Sequence, residues 1–258
     1  MNFRVAMKED AYIIKNEKFH HAIITRLHNP ADVVAGELAV GMIHMLPGGG
    51  CEMIVCEKEL WLYVQKGKTG ITMDDGQEYT LEEKDSIHIA VGTGYALAGK
   101  SSEPAELVMV EADPSFKEKL YGRDENNEVR SAAGSYKITK ADAFYSYVPV
   151  ANTHRDCLTC RLTNAKDVRF GRLENGISFY LPFAGGVHMP GDQYEMIYYV
   201  TEGEFTCPDP AGGKVKLHRG DSVHFGAGNF RIADVSGTET VTMLTLRILP
   251  KDDPLCGN

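Results

Sequence analysis

The sequence predicts an all-β protein built from two tandem jelly-roll domains, and three observations carry that prediction. The first is an internal duplication. EMIYYVTEGEF (195–205) and GDSVHFGAGNFR (220–231) repeat the earlier ELWLYVQKGKT (59–69) and KDSIHIAVGTGY (84–95). Glu59 falls on Glu195, Gly67 on Gly203, Asp85 on Asp221 and His88 on His224, each 136 residues later, with no gap. Gly49-Gly50 falls on Gly185-Gly186 at the same offset. A register kept over that span marks the repetition of one structural unit. The second observation is punctuation: short strand-forming runs separated by Gly, Pro, Asn and Asp at roughly eight to twelve residues, the pattern of a sandwich or barrel. The third is length, since 258 residues give each half enough chain to bury its own core.

Taken in order, the first nineteen residues are polar and mixed and read as an arm. Residues 20–27 are rich in β-branched side chains and read as a strand. Residues 38–46 form another, closed by Pro47-Gly48-Gly49-Gly50, and 60–64 is an apolar run of strand length. Asp74-Asp75-Gly76 is a hairpin signal between 69–73 and 77–81, and 86–90 and 105–111 complete the first set. Residues 113–142 are charge-rich and read as a connection with one short helix at 115–121, because Asp113-Pro114-Ser115 resembles a helix start. The second set of strands is 158–162, 168–173, 177–183, 195–200, 214–217, 222–225 and 241–248, with 209–213 as the matching hairpin. The expected domains are therefore 1–115 and 141–258, joined by a linker over 116–140.

A net charge of −9 argues against nucleic acid and anionic membrane as partners, since both require basic surface. The opening MNFRVAMKEDAY places charges where an export signal needs an apolar run, and no stretch is apolar for the roughly eighteen residues of a membrane span, so the expected location is the cytoplasm. Six cysteines lie at 51, 56, 157, 160, 207 and 256, with no pairing shared between the halves, and read as reduced thiols. Cys157 and Cys160 stand three apart in a strand and so face opposite ways, which argues against a redox or zinc pair.

YYVTEG and LYVQKG, each an apolar strand ending in a Gly turn, and GDSVHFGAG and KDSIHIAVG, each an acidic turn followed by a strand and a second Gly turn, resemble the two-part signature of the cupin superfamily. Two copies imply a bicupin: two double-stranded β-helices, or jelly rolls. Length, duplication and the block E-x3-YV-x2-G are similar to ureidoglycine-aminohydrolase-type bicupins. That resemblance implies a manganese enzyme with its metal in the second cupin.

A cupin metal site takes two histidines, a glutamate and the histidine of the second motif, a set suited to Mn, Fe, Ni or Zn. In the first half the second-motif position is Tyr95, and Cys51, Glu52, Glu57 and Glu59 are the nearby polar residues. In the second half the corresponding positions leave a reduced set, His188, Gln193 and Glu195, and the second-motif position is Arg231. Arginine has no lone pair to give a metal. A guanidinium there is either an anchor for a carboxylate or phosphate, or the partner of Glu195 or Glu239 closing an empty barrel. Glu59 and Glu195 sit one residue off the usual ligand register, which turns them to the rim unless a bulge restores them. His224, like His88, is a hydrogen-bonded core residue or, in the pocket, a general base. Tyr199, beside Met196 and Tyr198, is a wall residue that can offer its hydroxyl to a ligand. Cys51 is the one thiol near a pocket.

Three functions follow. One is an enzyme, a hydrolase, isomerase or lyase, acting on a small anionic metabolite in the second barrel. There His188, Glu195 and His224 serve as the proton-transfer candidates and Arg231, Tyr199 and Gln193 as the binding residues, with or without a divalent metal. The others are a non-catalytic ligand-binding bicupin and a storage protein. The first-half pocket is expected to be the more apolar and closed one. The open edges of two jelly rolls call for a strand exchange between the halves by the arm, or for a homodimer or higher homo-oligomer.

Overall fold

The computed structural model describes residues 2–113, 134–143, 145–147, 154–186, 189–190, 194–208, 212–230, 237–251 and 253–256. Among these residues the chain is strand, turn and three short 3-10 segments. The expected all-β fold is present as a ten-stranded and a seven-stranded sheet, each curled, with two two-stranded sheets beside them. Thr69–Met73, Lys214–Leu217, Ser222–Phe225 and Val241–Ile248 begin and end at the expected residues.

Three expectations are corrected. The strand expected to close at Pro47 runs on as Leu38–Val55. Its register against the strand Phe19–His28 shifts between His20 and Ala22, and Gly48 takes φ +71°, so the Pro-Gly run bends the strand around the barrel instead of ending it. The segment 168–173 is not a strand. It follows the 3-10 turn Ala165–Asp167, and the next strand, Leu173–Gly186, begins only at its last residue. The region expected as a connection carries a strand of its own, Tyr136–Thr139. The helix expected over 115–121 lies outside the described residues.

Each half completes the sheet of the other. Phe3–Ala6 pairs antiparallel with Ser222–Phe225 of the second half, and Tyr136–Thr139 pairs with Ser86–Ile89 of the first. The two second-motif aspartates fix the exchanged segments: Asp221 accepts the backbone N–H of Lys8 at 2.8 Å, and Asp85 that of Ala141 at 2.9 Å. The arm therefore covers an edge within its own chain, as one of the two expectations for it holds.

Strand alternation then separates two kinds of interior. Leu60, Leu62, Val64, Ile87 and Ile89 point into the first barrel, and Met196, Tyr198, Val200, Val223 and Phe225 into the second. Their neighbours Trp61, Tyr63, Ile197 and Tyr199 point the other way, into an apolar layer shared by both halves. Cys157 packs in the second barrel and Cys160 in the shared layer, so the CxxC residues do face opposite ways. All six cysteines are buried, and among the described residues none is joined to another by a disulfide.

Candidate functional site

The duplicated Glu–His pairs lie in the seam between the halves. Glu195 is buried; its Oε1 accepts from Leu38 N at 2.8 Å and lies 2.7 Å from His224 Nε2, while its Oε2 accepts from Glu37 N at 2.6 Å. Glu59 repeats the arrangement, receiving the N–H groups of Arg172 and Leu173 at 2.8 Å and His88 Nε2 at 2.7 Å. Each carboxylate thus caps a loop that arrives from the opposite half. Those loops are themselves a repeat, at an offset of 135: Asn29, Asp32, Val33, Gly36 and Leu38 against Asn164, Asp167, Val168, Gly171 and Leu173. Gly36 and Gly171 let the loops close. A Cβ on either would stand 2.1 Å from Pro30 O or 2.2 Å from Ala165 O. Where the loops meet, Glu37 and Arg172, which occupy matched positions, form an ion pair with each other. The buried Arg172 also donates to Leu249 O at 2.9 Å and Asp113 O at 2.8 Å. Burial works to raise the Glu37 pKa, but hydrogen bonds from Arg172 and Lys251 outweigh it and hold the carboxyl below its usual range.

His224 takes the hydrogen-bonded core role expected of it together with His88, whereas Glu195, expected at the rim unless a bulge restored it, is buried in the seam. Glu195 and His224 sit on the seam face of their strands and not on the barrel face, because the strand Glu195–Glu202 alternates without a bulge over Glu195–Tyr199. Tyr199 shares that face, its hydroxyl 3.4 Å from Met42 Sδ at the edge of a cleft of about 490 Å³ between the halves. Both Glu195 oxygens are already engaged, so Glu195 does not fit a metal set in the second barrel with His188 and Gln193. His188, Gln193 and Arg231 lie outside the described residues. The missed seam loops had a legible signal, N-x-x-D-V-x-x-G in both halves, but at a different offset from the one followed.

The first barrel, expected to be closed, opens in a cavity of about 370 Å³ lined by Phe19, Ile24, Arg26, Cys56, Tyr95 and Glu111, with Lys18 and Lys58 also contributing. Arg26 comes from the strand Phe19–His28 and Glu111 from Ala105–Ala112. Nη2 of Arg26 is paired with Glu111, whereas its buried Nη1 has no hydrogen-bond partner among the described residues. Tyr95, at the second-motif position, is kept protonated by burial, which pushes its hydroxyl well up. Burial likewise pushes the Cys51 thiol up to about 11, and its sulfur accepts from Leu97 N at 3.2 Å, so it packs and does not act as a nucleophile. In the second half the matching arginine, Arg161, instead meets Glu174 at 2.9 Å, and Arg247 stands in the place of Glu111.

Comparison with known proteins agrees with this architecture. The cupin-domain family profile matches residues 41–111. A Pseudomonas aeruginosa protein named for induction by glyoxylate superposes with a TM-score of 0.74 at 16% identity, over 100% of this chain and 92% of its own. YlbA from E. coli does so with 0.71 at 15%, over 98% and 92%. An oxalate decarboxylase from Lactobacillus farciminis, in complex with formate, gives 0.69 at 12%, over 97% and 86%. No protein of curated description matches the sequence. Residues 41–111 thus resemble a cupin domain, and the chain as a whole shares the fold of these two-barrel structures. Among the described residues no helix is long and apolar enough to cross a membrane.

Proposed function

We propose that this two-barrel protein binds a small anionic metabolite, a carboxylate above all, at the mouth of its first barrel. The observation that carries the reading is the Arg26 guanidinium, held by Glu111 on one side and presenting a buried, unpartnered Nη1 in a ligand-sized cavity. Leaving such a donor unpaired costs about 1–3 kcal/mol, which an anionic oxygen would recover. Protonated Tyr95 is a second donor, and Lys18 and Lys58 draw an anion in. The names of two structural relatives, one induced by glyoxylate and one bound to formate, support a small carboxylate as ligand. Fold alone does not choose the chemistry, and the groups gathered here suit binding better than proton transfer or metal catalysis. A homo-oligomer fits the exposed Tyr12, Ile13 and Ile23 beside the edge strand Tyr12–Ile14; a monomer by light scattering would remove that part.

Calorimetric titration with formate, glyoxylate, oxalate and phosphate tests the site. Arg26→Lys keeps the charge and loses the planar fork, so affinity should fall about tenfold or more with little change in Tm. If the wild type binds none of these anions, the reading fails. If Arg231→Met abolishes binding and Arg26→Lys does not, the ligand belongs to the second barrel, with His188 and Gln193 as its neighbours.

A further inference from the structure

The two seams differ at one residue. At the first, Thr163 Oγ1 lies 2.6 Å from His88 Nδ1 and donates to Asp167 at 3.2 Å, so both nitrogens of His88 are engaged. At the second, the place of Thr163 is taken by His28, with Asp32 in the place of Asp167 and His224 in that of His88. His28 and His224 are both fully buried, and their rings meet edge to face with centroids 5.2 Å apart. His28 Nδ1 is 3.1 Å from Asp32 Oδ2, and its Nε2 is 2.7 Å from Ser222 Oγ. His224 Nδ1, by contrast, has no hydrogen-bond partner among the described residues.

We propose that His28, Asp32 and His224 form a binding site for a divalent transition ion of the zinc class, placed in the seam and away from both barrels. Each residue offers one ligand atom, and those atoms all lie within 4.8 Å of one another. Two imidazole nitrogens and a carboxylate oxygen are a donor set zinc accepts, and bonds of about 2.0–2.1 Å in tetrahedral array hold ligand atoms about 3.3 Å apart. The His28–Asp32 separation of 3.1 Å is already close to that spacing. The proton inventory agrees. The Glu195 carboxylate can only accept, so a neutral His224 carries its proton on Nε2 and turns the Nδ1 lone pair toward the cluster. A carboxylate behind a histidine in this way is the usual support of a metal ligand. On binding, His28 takes the tautomer with its proton on Nε2, and that N–H donates a hydrogen bond to Ser222 Oγ. Arg4 holds the other Asp32 oxygen at 2.5 Å; Oδ2 accepts the Asn29 N–H at 2.9 Å, and its second lone pair, now facing His28 Nδ1, is the one offered to the ion. His28 and Asp32 belong to the first half and His224 to the second, so the ion would clamp the halves together. This site is independent of the anion cavity.

Because the site is buried, the test loads metal during folding. Protein unfolded in chelator is refolded with Zn²⁺ or Co²⁺, freed of excess ion and assayed for bound metal. Wild type should retain about one ion per chain, and its Tm should rise by about 5–10 °C at free metal near 100 times Kd. His28→Thr installs the side chain used at the other seam. It should fold, give His224 Nδ1 a hydroxyl partner, and bind no ion. Asp32→Asn should weaken retention by about tenfold or more. His188→Ala should retain the ion. Wild type refolding without metal uptake overturns the proposal. So does retention in His28→Thr, and so does loss in His188→Ala, which would place the ion in the second barrel.

Discussion

The two faces of one strand pair, Glu59–Lys66 and Glu195–Glu202, have had different histories. On the barrel side Leu60, Leu62 and Val64 stand against Met196, Tyr198 and Val200, apolar throughout but changed at two of the three positions. On the seam side the glutamate is kept, as is the histidine 29 residues later that meets it. A barrel needs only the right volume of apolar filling, which many residues supply. A seam that caps backbone N–H groups with a carboxylate needs that group at that place. The polar residues held in common by both halves are therefore those that join them, and ligand chemistry should be sought where the halves differ.

The largest test of that contrast is Glu59→Ala set beside Glu195→Ala. Either leaves two buried N–H groups and a histidine without their acceptor, so each should cost about 3–5 kcal/mol, seen as a lower urea midpoint. Similar losses in the two variants would mark equivalent structural roles. A Glu195 variant that keeps its stability and loses ligand binding would return that residue to the list of site residues. Next comes Gly36→Ala against Gly171→Ala. The added methyl meets a carbonyl oxygen at 2.1 or 2.2 Å, so the loops must shift, at about 1–3 kcal/mol each. The smallest effect is on pH dependence. The Glu37 pKa is lowered in the fold, so its contribution is complete above the unfolded value of 4.5 and lost as pH falls below it. Glu37→Gln should flatten that part of the stability profile, and an unchanged acid limb would show that the Arg172 pair contributes nothing.

How much of this was legible follows from the same faces. The duplication, the strands and the jelly-roll class could be read because turn residues and offsets are one-dimensional facts. The side on which Glu195 lies could not be read, since EMIYYV is apolar on both faces and shows no alternation. The strand Gly94–Gly99 was missed because its GYALAG is mostly small residues. The exchanged strand Phe3–Ala6 was hidden in a charged arm, its partner more than 200 residues away. Arg26 gave no motif; its meaning comes from Glu111, 85 residues on, and from the cavity they share.

The exchanged strands also set a timetable for biosynthesis. Phe3 pairs with Phe225, so this strand must wait for a partner made more than 200 residues later. The strand Ser86–Ile89 waits less, for Tyr136–Thr139. During translation the first barrel can collapse on its own apolar interior while its leading arm trails unpaired in solution. Closure of the whole molecule is then one late, long-range event, slow for the same reason that any distant pairing is slow.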